Sequence, residues 1–195
     1  MRLFIGIPLP DAVIRELFTV VSRLRPAAGR VRWSAPESWH ITLQFLGNAT
    51  EDQLACLARQ LAEVCSAPVR IEIGELGSFE RSGVFFVGVA VTPGLTALQE
   101  SVVAATGHCG FIAEARPYRP HITLARKSGN RGTRDRGTRD DRVESKGMQD
   151  LVARAGADRF SAFTANEFLL YESHLGSEGS RYEVRARFPI GARRG

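Results

Sequence analysis

The chain has 195 residues, an apolar fraction of 44% and a formal net charge of +5. That is enough for one compact domain with a real core. No apolar run approaches the roughly 18 residues that span a bilayer. The opening, Met1 to Leu9, is too short and too soon interrupted by Pro8 and Pro10 to be a signal peptide. Cys56, Cys65 and Cys109 are odd in number and lack metal-ligand spacing, so they read as reduced structural thiols. The expectation is a soluble, cytoplasmic monomer.

Along the chain, Arg2 to Leu9 alternates as a strand, and Asp11 to about Leu24 is an amphipathic helix whose apolar face is Val13, Leu17, Val20, Val21 and Leu24. Trp39 to Leu46 is a second strand, ended by Gly47-Asn48. Thr50 and Gln53 form the signature of a capping box, opening a helix to about Cys65. Val69 to Leu76 and Val84 to Val91 are predicted strands around a Gly/Ser turn, followed by a helix from about Leu95 to Gly107. His121 to Arg126 is a further strand, and Met148 to Ala155 a short helix. Glu167 to Ser173 and Arg181 to Phe188 form a last strand pair, joined at Gly176 to Ser180. Strands and helices mix without regular alternation, which favours α+β with antiparallel sheets over a doubly wound parallel sheet.

Between Lys127 and Gly147 the composition changes. Arg-Gly-Thr-Arg-Asp occurs twice in tandem, from Arg131 and from Arg136. Lys127 to Lys146 carries seven Lys or Arg against four Asp or Glu, which is +3 of the total +5. The rest is near neutral, so a broad phosphate-tracking surface is not indicated; a small anion or an RNA end fits better. With one branched apolar residue, Val143, residues 127–147 read as a mobile loop within a single domain over 1–195, either a guide for RNA or a neutral insertion.

His-Ile-Thr-Leu occurs at His40 to Leu43 and again at His121 to Leu124, 81 residues on. Because strand side chains alternate, each copy projects an imidazole and a hydroxyl from one face, with Ile and Leu anchored on the other. Phosphodiester cleavage needs such a set. A neutral imidazole takes a proton from water, a protonated one gives a proton to the departing oxygen, and hydroxyls stabilise the phosphoryl charge. His40, Thr42, His121 and Thr123 are therefore the candidate catalytic residues. The copies contain no carboxylate or cysteine, His108 and His174 match neither, and no Gly-x-Ser-x-Gly elbow is present, so neither a zinc site nor a serine hydrolase is indicated. Strict alternation puts Arg126 and Phe45 on the faces opposite the histidines. Phe45 then reads as core, and Arg126 as either a phosphate ligand or a surface residue. Trp39, Trp33 and Tyr118 flank the motifs and either stack on a base or pack inside.

These motifs resemble the 2H phosphoesterase superfamily and, within it, the bacterial and archaeal RNA 2′,3′-cyclic phosphodiesterases, historically called 2′-5′ RNA ligases. The likeness extends over Arg2 to Leu9, His40 to Gly47, Arg119 to Arg126, Leu170 to Ser173 and Arg181 to Val184. It implies two pseudo-symmetric lobes of antiparallel sheet flanked by helices, with the active-site cleft between them and no metal or cofactor. It implies hydrolysis of RNA 2′,3′-cyclic ends, or of cyclic nucleotides, to 2′-phosphomonoesters, with His40 as proton donor and His121 as acceptor. Arg126 matches the arginine that commonly follows the second motif, and with Trp39 and Tyr118 completes the candidate substrate-binding set. Joining of RNA ends through a 2′-5′ linkage, or RNA binding without catalysis, would use the same residues.

Overall fold

The computed structural model describes residues 1–28, 31–127, 149–154, 156, 158–176 and 179–191. Of the repeat-bearing segment, only Lys127 falls within them, and so do not Met148 and Ala155, the expected ends of the short helix. In chain order the elements are β1 (Arg2–Pro8), α1 (Asp11–Leu24), β2 (Val31–Trp33), β3 (His40–Asn48), α2 (Glu51–Ala62), β4 (Val69–Ile71), β5 (Ile73–Phe79), β6 (Val84–Val89), α3 (Pro93–Gly107), β7 (His121–Lys127), α4 (149–154), β8 (Phe163–Ala165), β9 (Glu167–Gly176) and β10 (Gly179–Pro189).

Two four-stranded sheets, β10-β9-β1-β3 and β2-β7-β6-β5, are built wholly from antiparallel pairs, and β4-β8 forms a small third ladder. The architecture is the expected α+β. Each large sheet holds one His-Ile-Thr-Leu copy, on β3 and on β7. The largest buried cluster takes side chains from both sheets and the helices, including Leu3, Ile5, Leu17, Ile41, Phe85, Leu98, Ile122 and Phe168.

Local chemistry explains the boundaries. The face predicted for α1 is the buried one, and the helix packs it against the sheets. Thr50 and Gln53 do form the reciprocal capping box. α2 ends at Ala62, three residues before the predicted Cys65, because the Glu63 and Val64 amides turn back onto Gln60 and Leu61. α3 starts at Pro93 rather than Leu95, since the Thr92 hydroxyl caps the Leu95 amide and proline is tolerated in a first turn. The strand expected over Val69 to Leu76 is two short strands broken at Glu72, and they serve different sheets. Gly83, at φ +58°, closes the β5–β6 connection; a Cβ there would lie 2.6 Å from that of Lys127.

The cysteines overturn one expectation. Cys56 on α2 and Cys109 after α3 are joined in a disulfide, and only Cys65 is a free, exposed thiol. The argument from cysteine usage to a reducing compartment falls with it. Among the described residues no helix is long and apolar enough to cross a membrane.

Candidate active site

Both motif strands carry a β-bulge at the same place. Against β1, Gly6 faces Thr42 and Ile5 faces Gln44, so Leu43 is an extra residue. Against β6, Phe86 faces Thr123 and Phe85 faces Ala125, so Leu124 is extra. A bulge resets the side-chain phase. Leu43 and Gln44 both point inward, as do Leu124 and Ala125. The residues five positions after each histidine, Phe45 and Arg126, therefore return to the histidine face. Phe45 is 51% exposed and lies beside Phe4 at 6.0 Å, so it is not core. Arg126 is exposed, and its charge reaches both imidazoles.

The histidines are held alike. His40 Nδ1 donates to the Ser38 carbonyl at 2.7 Å, and His121 Nδ1 to the Arg119 carbonyl at 2.8 Å. Each Nε2 is thereby left for chemistry. That of His40 lies 3.1 Å from the Thr42 hydroxyl. Aromatic rings fix both imidazoles. Phe4 lies 4.6 Å from the His40 ring, with Tyr182 edge-on at 5.2 Å; Phe79 and Phe86 meet His121 edge-on at 5.0 and 5.4 Å. Gly6 makes room for this packing, since a Cβ there would come within 3.2 Å of the His40 ring and 2.9 Å of the Ile41 carbonyl. Phe79 and Phe86 also line, with Gly88, Val91 and Arg119, a pocket of about 200 Å³ beside His121.

Burial lowers the pKa of His40 to about 4, with the charges of His121 and Arg126 adding to it. His121 is lowered as well, chiefly by burial and then by Arg126 and Arg119. His40 thus lies within electrostatic reach of His121, and both imidazoles within reach of Arg126.

The flanking aromatics are engaged within the protein. Trp39 is buried in the core with its indole N–H unpartnered, and presents no face to a base. Tyr118 is largely enclosed and donates its hydroxyl to the Thr42 carbonyl at 3.1 Å, tying the segment before β7 to β3. Trp33 packs edge-on against Phe85. His108 is exposed beyond α3, and His174 pairs with Glu183 at 3.2 Å on the β9–β10 hairpin. Glu172, His174 and Glu183 are the one group of three ligand-type side chains among the described residues, and Arg185 already holds Glu172 at 2.5 Å.

His40 and Thr42 on one sheet, with His121, Thr123 and Arg126 on the other, are a candidate set for handling a phosphoester. Residues 9–145 match the model of the 2′-5′ RNA ligase superfamily, and the chain belongs to that family. It is 35% identical over 129 residues to an RNA 2′,3′-cyclic phosphodiesterase of Bacillus subtilis, covering 64% of this chain and 70% of the relative. It is 27% identical to one of Archaeoglobus fulgidus over 94% of this chain and 97% of the relative. The fold is shared with Escherichia coli LigT, solved in apo form and with 3′-AMP; against the apo structure the TM-score is 0.74, with 23% identity and 98% of each chain covered.

Proposed function

We propose that this chain hydrolyses RNA 2′,3′-cyclic phosphate ends to 2′-phosphomonoesters, with His40 as proton donor and His121 as proton acceptor. The observation that carries the reading is the pair of imidazoles, each with Nδ1 tied to a backbone carbonyl, His40 Nε2 meeting the Thr42 hydroxyl, and both within reach of the Arg126 charge. In-line displacement needs an acid and a base on opposite sides of phosphorus, and histidines on two strands from different sheets are suited to that arrangement. Water loses a proton to His121 Nε2 and attacks phosphorus; the P–O3′ bond breaks, and O3′ takes a proton from His40 Nε2. Thr42, Thr123 and Arg126 donate to the non-bridging oxygens as charge gathers there.

The assignment of roles rests on the family resemblance. Both imidazoles are depressed first by burial and then by neighbouring positive charge, so an arriving phosphate anion favours the protonated form of either. Sulfur in place of the 3′-oxygen provides the test, because a thiolate leaves without being protonated. His40→Ala should cost about a hundredfold or more on the oxygen substrate and recover most of that on the sulfur substrate. His121→Ala should be equally slow on both. Rescue of His121→Ala instead would reverse the roles, and rescue of neither would remove the acid–base mechanism.

A further inference from the structure

β2 is three residues long and pairs with β7 so that Trp33 faces Ala125 and Arg32 faces Arg126. Trp33 lies edge-on at 6.0 Å from the fully buried ring of Phe85, so its face of the strand is the inner one. Arg32, one residue earlier, is exposed on the other face, alongside Arg126. Two guanidiniums directly opposed on neighbouring strands repel each other. Among the described residues, neither has a carboxylate partner that would offset this. An anion between or beside them reverses the sign of the interaction.

Arg126 acts on both imidazoles. Arg32 stands on the edge strand beyond it, one strand spacing of about 4.8 Å outward along the sheet. A planar guanidinium fork is suited to a second phosphate group at that remove. We propose that Arg32 binds the phosphodiester one nucleotide upstream of the cyclic end, so that the site distinguishes an RNA chain from a cyclic mononucleotide. This rests on the cyclic-phosphate reading above.

The experiment compares cytidine 2′,3′-cyclic phosphate with a trinucleotide ending in the same group, on wild type, Arg32→Gln and Arg32→Lys. The mononucleotide has no upstream phosphate and serves as the internal control for folding and chemistry. Arg32→Gln should raise KM for the trinucleotide about tenfold with kcat little changed, the scale of one charged hydrogen-bonding contact. The slope of log KM against log salt for the trinucleotide should fall by about 0.7, the counterion release of one single-strand phosphate contact. Arg32→Lys should keep the salt slope. An equal rise in KM on both substrates would overturn the proposal by placing Arg32 at the reacting phosphate. No change on either would make it an ordinary surface arginine. If wild type turned over neither substrate, the hydrolase reading itself would fall first.

Discussion

At the scale of single residues, the free enzyme must hold one imidazole protonated and the other neutral. kcat/KM needs both states at once, so it falls below the lower and above the higher of the two pKa values whichever imidazole holds which role. His40 lies near 4 and His121 is below its usual value of 6.5, so both limbs of the bell should fall on the acid side of 6.5. A pH–rate profile with its basic limb above that value would contradict the burial of these rings. Thr42→Val and Thr123→Val keep shape and remove a hydroxyl, so each should lower kcat by less than the loss of either histidine; single-turnover rates on a cyclic nucleotide check this. His174→Ala should leave kcat/KM nearly unchanged, because His174 already pairs with Glu183 on an exposed hairpin. The four motif residues were legible in the sequence because identity and spacing alone name them. Phe45 and Arg126 were not, because strict alternation is the rule that a bulge breaks.

At the scale of elements, the end of α3 supports β3. The buried Thr106 hydroxyl donates to Gln44 Oε1 at 2.8 Å, at the bulge that follows Thr42. The Gln44 amide nitrogen has no partner, so this is the side chain's single anchor. Thr106→Val should cost roughly 1–3 kcal/mol, the scale of leaving a buried acceptor unsatisfied, measured as a shift in the urea midpoint. Just beyond, the Cys56–Cys109 bridge closes a sequence separation of 53 residues and ties α3 to α2. Its loop entropy amounts to about 4 kcal/mol at most. Reducing agent, or Cys56→Ser with Cys109→Ser, should lower Tm by several degrees or more. No local pattern announces such a bridge, because only the packing of α2 on α3 brings the two cysteines together. Short strands share that weakness. β2 and β8 are three residues each, too brief for periodicity to register, whereas α1 and the Thr50 cap are marked by local chemistry and are readable directly.

At the scale of the whole molecule, the candidate site draws one motif strand from each of two sheets. Tyr118 is the bond between the halves that the structure makes plain, reaching from the approach to β7 onto the Thr42 carbonyl. Tyr118→Phe should cost on the order of 1 kcal/mol in stability and should lower kcat more than it raises KM, because the relative placement of the imidazoles loosens. The matched bulges also set how the gene tolerates loss of single codons. Deleting Leu43 or Leu124 removes the extra residue, lets the ladder run regularly past the threonine, and leaves every later side chain on its present face at the cost of one buried leucine. Deleting Ile41 or Ile122, one position before the threonine, instead shifts the hydroxyl to the inner face. In a library of in-frame deletions scored for folded protein and turnover, the two leucine codons should stand out within otherwise intolerant strands, each copy repeating the pattern of the other.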